Sequence, residues 1–208
     1  MTPEVRLDRG LVELRLDLSP EAKRKLLDYL ALLAKWNSVY NLTAIRDPDK
    51  MVSNHLLDSL AVTSLLPTVP ILDVGAGAGL PGIPLAIARP EVGVTLVDSS
   101  QKKAAFMQQA AAELGLANVT ALHQRVETWR PATRFPAVIS RAFAELADFL
   151  RLTRHLLASG GAFYAMKGKK PEDEIKCLPH GFRVRDVIEL VVPGLGAERC
   201  LIVIEATA

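Results

Sequence analysis

Apolar positions along the chain change their rhythm at Pro70. Before it the spacing is helical. Ser19-Pro20-Glu21 reads as a helix start, with a hydroxyl cap, proline in the first turn and an acid at the positive dipole end. Leu26, Leu30, Leu33 and Trp36 then recur on one face. A second helix is predicted from Pro48-Asp49 to about Leu66, with Val52, Leu56 and Leu60 in register, ended by Pro67 and Pro70. After Pro70 short aliphatic runs at Ile71–Val74, Val92–Val97, Val119–Leu122, Ala137–Ser140 and Ala162–Met166 alternate with helical stretches around Ile83–Ala88, Lys102–Leu114, Leu146–Leu157 and Glu172–Leu178. Such alternation predicts right-handed crossovers and a parallel sheet covered on both faces. Phe182–Val192 and Cys200–Ala206 have only a Pro193-Gly194 turn region between them, so the last strand is expected to enter antiparallel. The expected fold is α/β: a doubly wound, seven-stranded Rossmann-like sheet, mostly parallel with an antiparallel last strand. Residues 1–66 form a helical extension on a core of residues 67–208.

Composition narrows the class. The chain has 208 residues, half of them hydrophobic, yet no apolar run reaches the ~18 residues of a membrane span. The first twenty residues mix Glu4, Asp8, Glu13 and Asp17 with arginines and lack a signal-peptide core. Cys177 and Cys200 are too few and too far apart for a zinc site or a disulfide framework, and the four histidines are scattered, so no metal is expected. A soluble, cytoplasmic protein with no membrane partner is the expectation. The net charge is only +2, but lysines cluster at Lys167-Gly168-Lys169-Lys170. That cluster follows the fifth strand, at the sheet edge where doubly wound folds bind ligands.

The most informative segment is Ile71-Leu72-Asp73-Val74-Gly75-Ala76-Gly77-Ala78-Gly79-Leu80-Pro81-Gly82. A strand runs into three alternating glycines, which tolerate positive φ and leave room for a ligand against bare backbone. Gly77-x-Gly79-x-x-Gly82 matches the dinucleotide pattern, so an NAD-dependent oxidoreductase is one reading. Against it, Gly75 and Ala76 intervene between strand and pattern, and the Asp73 carboxylate would repel a pyrophosphate. Beside an ammonium and a sulfonium that carboxylate is favourable, which points to S-adenosylmethionine. Asp73 has a competing role, holding the following loop through backbone N–H groups. Asp98, closing the second strand, suits the hydroxyls of a ribose; alternatively Asp98 or Ser99 caps the next helix.

The loop after the fourth strand, Ser140-Arg141-Ala142-Phe143, lacks an Asp/Asn-Pro-Pro-aromatic tetrapeptide for amine methylation and a cysteine for attack at a pyrimidine carbon. An acceptor that is already nucleophilic remains, and guanine N7 fits. Positioning and electrostatics would supply most of the acceleration, with no dedicated base. Arg141 is a natural positioning residue for the O6/N7 edge, or else pairs with an acid of its own domain or with the cofactor carboxylate.

These residues resemble the bacterial RsmG (GidB) family, guanine-N7 methyltransferases of small-subunit ribosomal RNA. The marks are Trp36-Asn37, Asn41-Leu42-Thr43-Ala44-Ile45, His55-Leu56-Leu57-Asp58-Ser59-Leu60, Gly79-Leu80-Pro81-Gly82-Ile83-Pro84, Arg125-Val126-Glu127, Ser140-Arg141-Ala142-Phe143, Lys167-Gly168 and Glu198-Arg199. The resemblance spans about residues 20 to 206 and implies cofactor contacts at Gly75, Leu80, Val126, Glu127 and Arg141, beside Asp73, Gly77 and Asp98. Glu127 would read the adenine edge. It also implies a guanine of the 530 loop of 16S RNA as substrate, guanine 527 in conventional RNA numbering, within the small subunit or an assembly intermediate. Asn41 and His55 would border the active face, and Arg125, Lys167, Lys169 and Lys170 would touch RNA phosphates. A non-catalytic RNA-binding module on the same scaffold is a third reading, opposed by the intact turn with Asp98 and Arg141. Aromatic residues make up only 5% of the chain, so a broad stacking platform is not expected.

Overall fold

The computed structural model describes residues 1–141 and 143–207, Pro48 by its backbone alone; Ala142 of the Ser-Arg-Ala-Phe segment and the last residue of the expected core, Ala208, lie outside the described residues. Helix α1 (Pro3–Glu13) precedes α2 (Pro20–Tyr40). The Ser19 hydroxyl accepts from the Ala22 N–H at 3.1 Å, which is the cap read from the sequence. Asn41 ends α2 in the left-handed conformation at φ 50°. The next helical run is not uniform. It passes from α3 (Pro48–Met51) through a π-helical segment, Val52–Leu57, into α4 (Asp58–Leu60), and a 3₁₀ turn follows at Thr63–Leu65. The expected single helix to Leu66 is thus interrupted, and π segments of this kind concentrate at functional sites.

The core then alternates as β1 (Ile71–Val74), α5 (Gly82–Ala88), β2 (Val94–Asp98), α6 (Gln101–Glu113), β3 (Val119–His123), β4 (Phe135–Ser140), α7 (Leu146–Thr153), β5 (Leu157–Lys167), α8 (Glu172–Lys176), β6 (Phe182–Glu189) and β7 (Cys200–Ala206). The seven strands lie in the order β3-β2-β1-β4-β5-β7-β6. β7 is antiparallel to both neighbours while the other pairs are parallel, as the hairpin reading required. Strand order reverses between β1 and β4, and a ligand crevice opens beyond the carboxyl ends of strands at such a point.

Both sheet faces are covered. Ile71, Leu96 and Ile139 face one core with Leu26, Tyr29, Leu33, Leu56, Ile83 and Phe106, so the N-terminal helices share a single apolar interior with α5 and α6. Leu72, Val97, Val138 and Ile202 face the other, with Leu146, Phe149 and Phe163. Both faces of β1 are buried, which is why Ile71, Leu72 and Val74 are all apolar, with the buried Asp73 as the exception. Among the described residues, no helix is long and apolar enough to cross a membrane, and no group of three or more His, Cys, Asp or Glu is placed to hold a metal.

Candidate cofactor and substrate clefts

The glycine turn adopts the backbone its composition allows. Gly75, Gly77 and Gly79 have φ of 68°, 61° and 82°, values that side chains resist. Asp73 Oδ2 accepts from the Gly82 N–H at 2.8 Å and ties the two ends of the turn together. A methyl group on Gly82 would lie 2.1 Å from Leu96 Cδ2, so only glycine fits beneath that bond. Burial raises the Asp73 carboxyl to about 7, and its Oδ1 makes no hydrogen bond among the described residues. The loop-holding role of Asp73 is therefore realised in the geometry, with one carboxyl oxygen left over.

Asp98 likewise does more than one job. Oδ1 accepts from Ser100 N–H at 2.8 Å at the start of α6, and Oδ2 accepts from Gly77 N–H at 2.9 Å. The second bond, across 21 residues, fixes the middle of the glycine turn against β2. Around these groups opens a cleft of about 270 Å³ lined by Gly75, Asp98, Lys103, Val126, Glu127 and Phe143. It contains an apolar wall for a flat ring and two carboxylates for hydroxyl or amino donors.

A second cleft of about 170 Å³ shares Gly75 with the first and is lined also by Leu42, Thr43, Ala76, Gly77, Leu80 and Arg141. Thr43 and Arg141 in turn belong to a third, of about 390 Å³, that also takes in His55, Asp58, Met166, Lys167 and Arg199. The three spaces share walls: Gly75 lines the first and the second, and Thr43 and Arg141 line the second and the third. Of the expected cofactor residues, all but Asp73 line the first two.

Arg141 pairs with an acid, which was one of its open readings. Its Nη1 donates to Asp58 Oδ2 at 2.8 Å and to the Asn54 carbonyl at 3.1 Å. Asp58 Oδ1 accepts from Arg199 Nε at 2.9 Å. Asp58, on α4, is 1% exposed at its side chain and holds one arginine on each oxygen. His55, in the π segment, is buried, with Nε2 3.1 Å from Thr43 Oγ1. Burial, then the nearby Arg141 charge, lowers its pKa to about 4, so the ring is neutral at physiological pH. Thr43, Asp58 and Arg199 lie within the family marks, and the sequence alone gives none of the three side chains a partner. Pairings across 83 and 141 residues leave no local signature.

The expected RNA-contacting residues separate by availability. Lys167 is engaged: its Nζ donates to Glu174 at 2.9 Å and to the Ala144 carbonyl, and its side chain is 11% exposed. Lys169 and Lys170 are exposed; Lys170 lies 3.7 Å from Glu172. Arg125 projects into solvent beside Glu127 at 3.4 Å. Asn41 accepts from Arg46 Nη2 at 2.7 Å at the end of α2.

A sheet of this order, with its crevice at the β1/β4 switch and a glycine turn under it, is the Rossmann-like methyltransferase fold. Solved structures agree. The glycopeptide N-methyltransferase MtfA, complexed with S-adenosylmethionine, matches with a TM-score of 0.63 at 15% identity over 74% of this chain and 88% of that one. A methyltransferase from Thiobacillus denitrificans, in complex with S-adenosylhomocysteine, gives 0.55 at 14% over 84% and 98%. Residues 22–203 match the family described as rRNA small subunit methyltransferase G, or GidB, and the chain belongs to that family. A ribosomal RNA small subunit methyltransferase G from Aromatoleum aromaticum is 57% identical over 96% of this chain and 97% of its own. One from Methylobacillus flagellatus is 52% identical over 97% of each. Membership in this family sets the oxidoreductase reading aside.

Proposed function

We propose that the protein transfers a methyl group from S-adenosylmethionine to N7 of a guanine in the 530 loop of 16S ribosomal RNA, in the cytoplasm. The observation that carries this reading is the set of three clefts that share walls, Gly75 between the first two and Thr43 with Arg141 between the last two. The residues present fit the cofactor. A Cβ built on Gly77 would have no neighbour nearer than 3.8 Å, so the missing side chain is what keeps the floor of the 170 Å³ cleft open. Beyond it, Asp98 and Glu127 offer carboxylates to a ribose and an adenine amine, and Val126 and Phe143 offer apolar contact. S-adenosylmethionine supplies, when bound, an electrophilic methyl group on a sulfonium.

The chain's own residues then have a positioning task. The 390 Å³ cleft takes the guanine, turned out of its RNA context. N7 needs no deprotonation, so no general base is required, and neutral His55 is consistent with that. Arg141 Nη1 is committed to Asp58 and Asn54, and its Nε and Nη2 make no hydrogen bond among the described residues. That free edge serves O6. A donor on N7 would occupy the lone pair that attacks, so Arg141 orients the base through O6 and leaves N7 bare. Primer extension through the 530 loop after chemical cleavage at N7-methylguanine, in cells with and without the gene, tests the assignment. A stop that persists without the gene would overturn it.

A further inference from the structure

We infer that Arg199 is a second substrate-positioning residue, one that grips a phosphate of the target nucleotide, and that Asp58 positions Arg199 and Arg141 as a pair. This rests on the methyl-transfer reading above for the identity of the substrate. The argument is one of charge. Asp58 carries a single negative charge, is sealed from solvent, and is shared by two guanidiniums. The other cation of the cleft, Lys167, is matched by Glu174. Among the described residues that line this cleft one positive charge is left over, where both arginine side chains are only about a quarter exposed, at 27% and 25%. A guanine base has no anionic charge to answer it; a phosphate does.

The hydrogen-bond inventory assigns the arms. Arg199 gives Nε to Asp58 and one Nη1 proton to the Glu198 carbonyl at 2.9 Å, which leaves the terminal edge of the guanidinium with two adjacent N–H groups. Two such groups match two phosphate oxygens. Arg141 belongs to both the smaller cleft and the larger one, so it stands nearer the transfer point, while Arg199 lines only the larger. Base and phosphate are thus held by two cations fixed to the same carboxylate. The separation between them is set by Asp58, because each oxygen accepts one partner.

The test measures binding to unmethylated small-subunit particles across a salt series, and methyl incorporation beside it. Arg199→Gln keeps an amide donor for Asp58 and removes the cation. Its log K against log salt slope is expected to be shallower by about 0.7, the contribution of one phosphate on single-stranded RNA. Arg199→Lys should restore the slope, and affinity for S-adenosylmethionine by calorimetry should be unchanged in both. Asp58→Asn loses an acceptor for one of the two arginines and is expected to lower kcat by about 100-fold as the base is misplaced. Equal slopes for the unsubstituted protein and Arg199→Gln would overturn the phosphate assignment, as would loss of cofactor affinity in that variant. Altered slopes with no methyl incorporated into the particle would instead overturn the guanine-N7 reading and leave the arginine assignment in place.

Discussion

The Tyr29 hydroxyl donates a 2.6 Å hydrogen bond across 49 residues to the carbonyl of Ala78, so the N-terminal helix α2 holds the turn against which the cofactor is proposed to bind. Tyr29 is fully buried, and burial raises its pKa, so the phenol stays protonated and remains a donor. Tyr29→Phe keeps the ring and leaves the Ala78 carbonyl without its partner. The expected cost is about 1–3 kcal/mol of stability for an unsatisfied buried acceptor. A several-fold weaker affinity for S-adenosylmethionine should accompany it. Urea unfolding and titration calorimetry check the two; a loss of stability with unchanged affinity would mean that the helix supports the fold and not the turn.

Two glycines of that turn should fail in different ways. Gly77→Ala places its Cβ 3.8 Å from the Gly75 carbonyl without a clash, but at φ 61°. The conformational cost is about 1–2 kcal/mol, and the methyl group enters the cleft. Gly82→Ala meets Leu96 Cδ2 at 2.1 Å and Asp73 Oδ2 at 2.9 Å, so it disrupts the bond that closes the turn. Gly77→Ala should therefore fold with a modestly lowered midpoint and bind cofactor poorly. Gly82→Ala should lose more stability, by about 1–3 kcal/mol from overcrowding alone. Thermal unfolding with and without S-adenosylmethionine separates them, and equal stabilisation of Gly77→Ala and the unsubstituted protein by cofactor would contradict the first half.

Much of this was legible because β1 and its turn are specified locally. Ile71, Leu72 and Val74 put apolar side chains on both faces of the strand, and alternating glycines need no distant partner to declare a left-handed backbone. Helix α1 is hard to read from the sequence although Thr2 caps it and Leu7 and Leu11 are buried at helical spacing. Val5, Val12 and the interleaved charges blur its stripe. The π segment gives no compositional sign, since its extra residue per turn is imposed by what it packs against. Asp58 stood inside the His55–Leu60 family mark, but its importance comes from Arg141 and Arg199, which only the tertiary fold delivers.

Asp73 and His55 are expected to pull stability in opposite directions with pH. Burial raises Asp73 from 3.8 to about 7, so its contribution is full below the unfolded value and is lost as pH rises through 7. Burial lowers His55 from 6.5 to about 4, so its contribution is full above 6.5 and is lost as pH falls through 4. Asp73→Asn keeps an acceptor for Gly82 and removes the first titration; relative to the unsubstituted protein it should lose stability on going from pH 7 to pH 5. His55→Gln removes the second and should gain, on the same comparison. Urea midpoints at the two pH values measure both differences, and parallel curves for all three proteins would refute the shifts.

Lys167 and Lys169 stand two residues apart and should respond to substitution quite differently. Glu174 matches the Lys167 charge and also accepts from the Leu146 N–H at 2.6 Å at the start of α7. Removing the Lys167 ammonium strands a half-buried carboxylate that anchors a helix, so Lys167→Ala should lower the unfolding midpoint and leave the salt dependence of RNA binding nearly unchanged. Lys169 is exposed and forms no ion pair among the described residues, which leaves its charge available to a phosphate. Lys169→Ala should make the salt slope of particle binding shallower by about 0.7–0.9 while midpoint and cofactor affinity stay as they were. Filter binding across a salt series, beside thermal melts, reads both effects. If Lys167→Ala flattened the slope as much as Lys169→Ala, the Lys167–Glu174 pair would have to open when RNA arrives, and Glu174→Gln would then tighten binding at low salt.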